Sequence, residues 1–134
     1  MFYNLDTYDG RILKLVNQER AKVGADPLKI DQQLDQAADL HTQYQANRDN
    51  MTHTGYKGSS LRNRVDATGY NWSYIGENVA AGYSTPESVV KGWMGSSDHR
   101  ENILNPNFEE IGISYANSAD RTPYWTQVFG ADLN

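Results

Sequence analysis

Apolar residues recur at helical spacing along the first fifty positions. Ile12, Leu15, Val16 and Val23 fall on one side of a stretch from about Tyr8 to Val23, with Arg11, Lys14, Gln18 and Arg20 between them. That spacing predicts an amphipathic helix, ended by Gly24 and Pro27. Asp31 is placed to cap a second helix from about Gln32 to Arg48. The apolar side of that helix reads Leu34, Ala37, Ala38, His41 and Tyr44. Ser60 caps a short helix carrying Leu61 and Val65, stopped by Gly69. Thr85-Pro86-Glu87 supplies a capping hydroxyl, a proline at the first helical position and an acid facing the N-terminal dipole. The helix it opens runs through Val89, Val90 and Trp93 to about Ser96. Asp98-His99-Arg100-Glu101 then resembles a capping box for one further turn, ended before Pro106.

The period changes towards the end of the chain. Ile111, Ile113 and Tyr115 alternate with Gly112, Ser114 and Ala116, which predicts a strand. Tyr124 to Phe129, rich in aromatic and β-branched residues, makes a second. The polar run from Asn117 to Pro123 joins them as an antiparallel hairpin. The middle is less regular: Tyr70 to Ala81 mixes aromatics with Gly76-Glu77-Asn78, read as a turn, and a short strand-like Val79-Ala80. Helices around a small antiparallel sheet give an α+β or layered α/β/α domain.

At 134 residues the chain has room for one domain. Its 12 basic and 17 acidic residues give a formal net charge of -5, the wrong field for a general nucleic-acid binder. Apolar runs such as Val79-Ala80-Ala81 are broken within a few residues, whereas a membrane span needs about 20. Cysteine is absent, which excludes disulfides, thiolate catalysis and cysteine-based zinc sites. The opening Met1-Phe2-Tyr3-Asn4-Leu5-Asp6 lacks the pattern of a signal peptide. From this the chain is expected either to be intracellular or to be a trimmed piece of a longer one.

No phosphate loop, dinucleotide fingerprint, H-E-x-x-H or G-x-S-x-G motif is present. The candidate chemistry is a scattered set: His53, Glu77 and His99. Two imidazoles and a carboxylate could hold a divalent ion with a position left open, and imidazole ligation would weaken as pH drops through roughly 6.5. Spacing does not show that the three converge. Taken singly, His53 reads equally as a loop residue, Glu77 as a turn carboxylate and His41 as a packed core histidine. Asp98 and Glu101 are accounted for by capping, and Trp72, Trp93 and Trp125 by the core.

An ordered series of segments resembles bacterial members of the SCP-like, or CAP, superfamily, named for cysteine-rich secretory proteins, antigen 5 and pathogenesis-related proteins. The series comprises Asn17-Gln18-Glu19-Arg20, Pro27-Leu28, Met51-Thr52-His53-Thr54-Gly55, Gly76-Glu77-Asn78-Val79-Ala80, Thr85-Pro86-Glu87, Gly92-Trp93-Met94, His99-Arg100-Glu101-Asn102-Ile103-Leu104-Asn105-Pro106 and Tyr124-Trp125-Thr126-Gln127. The resemblance implies a single domain over residues 1–134, with its core at about 10–130. Its expected fold is a three-layer α-β-α sandwich with a small central antiparallel sheet and a cleft.

By the same resemblance, His53 and His99 match the two cleft histidines that bind zinc or another divalent cation, and Glu77 matches the Glu of the Gly-Glu-Asn motif beside Asn78. Ser96 stands where many eukaryotic members carry a second Glu. The function implied is a secreted bacterial binding module, extracellular or in the cell envelope, for a small lipid, glycan or protein ligand. Tyr70, Trp72, Tyr74 and Tyr83 are expected to line its groove. The alternative is a metal-assisted hydrolase of peptide, ester or glycan with Glu77 as general base. A Ser96–His99–Glu77 triad is a weaker variant, because Ser96 lacks a strained elbow.

Overall fold

A computed structural model describes residues 7–133; the opening residues Met1 to Asp6, read above for an export signal, lie outside that range. The helical expectations are met largely where caps were read. Helix α1 (Tyr8–Lys22) is capped by Thr7, whose hydroxyl accepts from the Gly10 N–H at 3.0 Å. Helix α2 (Gln32–Arg48) is capped by Asp31 through the Leu34 N–H at 2.9 Å. Helix α3 (Leu61–Ala67) opens with a reciprocal Ser60–Asn63 capping box, and α4 (Pro86–Met94) with the Thr85 cap and Pro86. Helix α5 (Ser97–Leu104) differs from expectation. Its N-cap is Ser96, without a side-chain cap bond, and it runs for eight residues rather than opening at Asp98 through a capping box.

The sheet contains β1 (Lys29–Ile30), β2 (Trp72–Ala81), β3 (Glu110–Asn117) and β4 (Pro123–Asp132), in the order β1-β3-β4-β2. Strands β3 and β4 form the expected antiparallel hairpin, and β2 pairs antiparallel with β4. The two-residue β1, which the pattern did not disclose, pairs parallel with β3. The sheet is therefore mixed, not wholly antiparallel. A second correction concerns Gly76-Glu77-Asn78, which lies inside the ten-residue β2 and is not a turn. Gly76 marks a close approach: a Cβ there would stand 2.9 Å from the ring of Phe108. In strands, Gly carries that meaning as well as punctuation.

Alternation along β4 sorts the layers. Trp125 and Phe129 enter one core with Ile12, Val16, Trp93, Ile103 and Ile113, beneath α1, α4 and α5. Val128 enters the other with Leu34, Ala37, Ala38 and Val65, beneath α2 and α3. Thr126, on that second side, bonds Thr42 of α2 at 2.7 Å. Both faces of the sheet are thus covered, giving the α-β-α sandwich.

One expected polar position is buried. Arg20 is fully enclosed, and its guanidinium donates to the carbonyls of Asp26, Ile103, Asn105 and Phe108. It ties the end of α1 to the segment between α5 and β3. Burial pushes its pKa down, with Asp26 acting the other way.

The start of α2 lies directly on β3. A Cβ at Gly112 would sit 2.1 Å from the backbone carbon of Leu34, and the Asp35 carboxylate accepts from the Ile113 N–H at 2.9 Å. Since backbone cannot swing aside as a side chain can, Gly112→Ala is expected to destabilise the protein by at least about 3 kcal/mol; an unchanged denaturation midpoint would contradict this packing. Asp35 is half-buried, and desolvation, the largest cause, raises its pKa to about 6 against the lowering effect of the Ile113 bond. The folded state therefore holds this proton where the unfolded chain has released it, so the contribution of Asp35 is full below pH 4 and is lost as pH rises to about 6. Asp35→Asn keeps an acceptor oxygen and removes that loss. Its stability relative to the parent is expected to rise between those pH values in denaturant titrations.

Candidate functional site

Strand β2 forms one edge of the sheet, and its successive residues serve opposite layers. Glu77 pairs in register with Val128 and turns towards α2 and α3; Asn78 pairs with Gln127 and turns towards α5. The Asn78 amide donates to the Gln127 side-chain oxygen and to the His99 carbonyl, each at 3.1 Å. Asn102 of α5 donates to the Glu77 carbonyl at 3.2 Å and to the Asn78 side-chain oxygen at 2.9 Å. These bonds fasten α5, and with it His99, along the edge strand.

On the other side, the Glu77 carboxylate is enclosed, with its side chain only 2% exposed. Its Oε2 accepts from Arg64 Nη2 at 2.7 Å, and its Oε1 accepts from His53 Nδ1 at 3.0 Å. Arg64, itself 4% exposed, also donates through Nη1 to the carbonyls of His53 and Ser59. One guanidinium therefore neutralises the buried acid and pins the loop that carries His53. His41, fully buried on α2, approaches Glu77 Oε1 to 4.0 Å and donates its Nε2–H to the Thr52 carbonyl. As expected, it is a packed residue of the core.

The three imidazoles differ in electrostatics. His53 is exposed, and its pKa is raised, first by its hydrogen bond to Glu77, against a smaller opposing effect of burial. His41 is lowered by burial. His99 is lowered by burial and then by the charge of His53.

The structure thus joins His53 to Glu77 directly and ties His99 to the same strand through its carbonyl, which accepts from the Asn78 amide. Ser96 is the half-buried N-cap of α5; no hydrogen bond links it to His99 or Glu77 among the described residues. Two buried polar residues that the sequence reading passed over, Arg64 and Arg20, bear on this arrangement. Both carry a signal in their spacing: Ile12, Val16 and Arg20 follow a strict i+4 ladder, and Arg64 shares a helical face with Leu61 and Val65. Three of the four aromatics expected to line a groove have other partners. Tyr70 is buried, donating its hydroxyl to Glu110 at 2.7 Å. The Tyr83 ring lies against Gly92, while Trp72 bonds Asp66.

The donors that this arrangement leaves free for an ion are few. With Nδ1–H held by Glu77, the remaining His53 donor is Nε2, on the far side of the ring; a carboxylate in this position orients a ligand and raises its basicity. Glu77 itself has both oxygens engaged and a guanidinium alongside, which suits an outer partner rather than a direct ligand. No group of three or more His, Asp or Glu is gathered to hold a metal among the described residues.

Comparison with known proteins follows the same outline. The model of the cysteine-rich secretory protein (CAP) family matches residues 13–129. YkwD of Bacillus subtilis is 38% identical over 126 residues, covering 94% of this chain and 48% of that protein; the chain spans about half of that relative. An outer surface protein of Borrelia burgdorferi shares the fold with a TM-score of 0.87 at 21% identity, over 97% of this chain and 96% of that one. An extracellular protein containing an SCP domain from Bacillus anthracis has a TM-score of 0.81 at 24% identity, over 98% of this chain and 45% of that one. No helix among the described residues is long and apolar enough to cross a membrane.

The contact between His53 and Glu77 makes a prediction. In Glu77→Gln the hydrogen bond can persist but the charge is gone, so the His53 pKa is expected to fall from its raised value in an NMR titration. The stability that His53 contributes is full below its unfolded pKa near 6.5 and fades as pH rises through the folded value; the variant is expected to lose that dependence.

Proposed function

The chain belongs to the CAP, or cysteine-rich secretory protein, family, and from that premise we propose that it is a bacterial binding module working outside the cell. Its cleft at the edge of β2 presents His53 and His99 to a ligand or partner of lipid, glycan or protein type. A divalent cation such as zinc would be held by these two imidazoles, with Glu77 orienting His53 through its Nδ1–H. A bound cation would supply an electrophilic anchoring point for an anionic or carbonyl oxygen of the ligand.

The observation that carries this reading is the state of Glu77. A general base needs a free oxygen within reach of the water it activates. Here one oxygen is committed to Arg64 and the other to His53, in a carboxylate shut away from solvent. The acid is placed to organise the site rather than to turn over a substrate, which favours binding over hydrolysis. The extracellular setting is supported by relatives named as outer-surface and extracellular proteins.

Zinc titration of the chelator-treated protein by calorimetry tests the reading. Binding is expected in the parent and lost in the His53→Ala/His99→Ala double variant. It should weaken as pH falls, beginning above 6.5 because the His53 pKa is raised. Binding that survives the double variant would overturn the assignment. Zinc-dependent hydrolysis of peptide, ester or glycan substrates, abolished by Glu77→Gln, would replace the binding module with the enzyme.

A further inference from the structure

The surface between α2 and α3 carries charge of the opposite sign to the chain as a whole. A cavity of about 200 Å³ opens there, walled by Leu40 and Tyr44 of α2, Ala67 of α3 and Tyr56 of the loop between the helices. Leu40 is 59% exposed and Tyr56 66%, so both present apolar surface to water. Tyr44 stacks on the buried His41 ring and meets Tyr56 edge to face, each with centroids 6.3 Å apart. Each tyrosine has a cation over its ring. The Arg48 guanidinium lies 5.4 Å from the centroid of Tyr44, and Lys57 Nζ lies 5.4 Å from that of Tyr56. Both cations are exposed, and neither forms an ion pair among the described residues. Asp49, beside Arg48 in sequence, instead accepts from the Tyr124 hydroxyl at 2.7 Å. In a chain of net charge -5, Arg48, Tyr44, Tyr56 and Lys57 thus form a continuous run of two rings and two unpaired cations.

The loop is built to hold this display. Lys57 has φ 53° and ψ 33°, a left-handed conformation uncommon for any residue but glycine. Such conformations persist where the surroundings fix them, and they gather at ligand clamps. Here the Gly55 N–H donates to the Ser59 carbonyl at 2.8 Å, and the Ser59 N–H to the Tyr56 carbonyl at 3.1 Å. Arg64 Nη1 holds the same Ser59 carbonyl from α3 at 3.0 Å. A backbone fixed in this way presents Tyr56 and Lys57 with little freedom left to lose on binding, and Tyr and Arg are the residue types that most often anchor a partner.

The dimensions and the charge select the occupant. The cavity has room for one apolar side chain and not for a long acyl chain. The cations on the two rings call for acidic groups flanking that side chain, and two of them are too few for a nucleic acid on a chain of this net charge. We propose that this surface docks an acidic segment of a partner protein. One apolar side chain of the segment enters between Tyr44 and Tyr56, and its carboxylate neighbours face Arg48 and Lys57. The proposal goes beyond the cleft reading, since neither a metal ion nor His53 nor His99 takes part.

Titration of the intact protein with the capped peptide Asp-Glu-Leu-Asp-Glu, followed by NMR, tests it. The controls are Asp-Glu-Ser-Asp-Glu and Lys-Lys-Leu-Lys-Lys. The acidic leucine peptide is expected to move the Tyr44 and Tyr56 ring protons and the Arg48 Nε–H, with a Kd of about 1 mM that rises in about 0.5 M salt. Tyr56→Ala should weaken it about tenfold. The charge reversal Arg48→Glu/Lys57→Glu should turn the preference to the basic peptide. These positions are exposed, so the denaturation midpoint of each variant should stay that of the parent. The His53→Ala/His99→Ala double variant should bind the peptide as the parent does, which separates failure here from failure of the cleft reading. Absent shifts, or equal shifts from the serine control, would overturn the proposal. So would tighter binding to phosphatidylglycerol vesicles, which would give the surface to a membrane, or self-association removed by Tyr56→Ala, which would give it to a second copy.

Discussion

The Arg64–Glu77 ion pair is the constraint on which the site depends. Both charges are withdrawn from water, and such a pair gains little net stability over an apolar replacement, while loss of one partner strands the other. Its value here is positional. Through Arg64 the pair fixes the His53 and Ser59 carbonyls and so the loop between α2 and α3. Through Glu77 it fixes the tautomer of His53. An exposed loop histidine thereby gains a defined ring orientation without a disulfide or any regular structure of its own.

The second requirement is that β2 be an edge strand. In the interior of the sheet, consecutive residues such as Glu77 and Asn78 would serve two layers that never meet. At the edge, one strand meets the layer of His53 through Glu77 and the layer of His99 through Asn78. The Asn78 and Asn102 amides cover part of the strand's flank and hold α5 in place, which also addresses the liability of an unpaired edge. With no cysteine in the chain, packing of the two cores, the Arg20 clasp and these side-chain amides hold the layers.

Much of the fold was legible because caps and periodicity act locally. Thr7 aside, the capping residues at Asp31, Ser60 and Thr85 could be read from their own neighbourhoods, as could the alternation in β3. What escaped depended on distant contacts. β1 is two residues long and exists only because β3 lies beside it. Gly76 looked like punctuation because the Phe108 ring that demands a glycine lies far along the chain. The parallel pairing of β1 makes the sheet mixed for the same reason. The site, in turn, was legible in its residue types through family resemblance, but not in its wiring. His53, Glu77 and His99 could be named, whereas the cation that neutralises Glu77 was passed over because arginine on a short helix ordinarily faces solvent. Its i+3 relation to Leu61 was the available signal. The aromatics chosen for a groove were those nearest Glu77 in sequence. Tyr44 and Tyr56, which line a real cavity, come from elements on either side of the loop that Arg64 holds.

The most direct test of this account is a double-mutant cycle on Arg64→Met and Glu77→Leu, read by equilibrium denaturation. If the buried pair organises the site, each single replacement costs about 3–5 kcal/mol while the double costs far less than their sum, because no charge is left stranded. Additive losses would show that the two side chains act independently and would remove the pair from the centre of the structure.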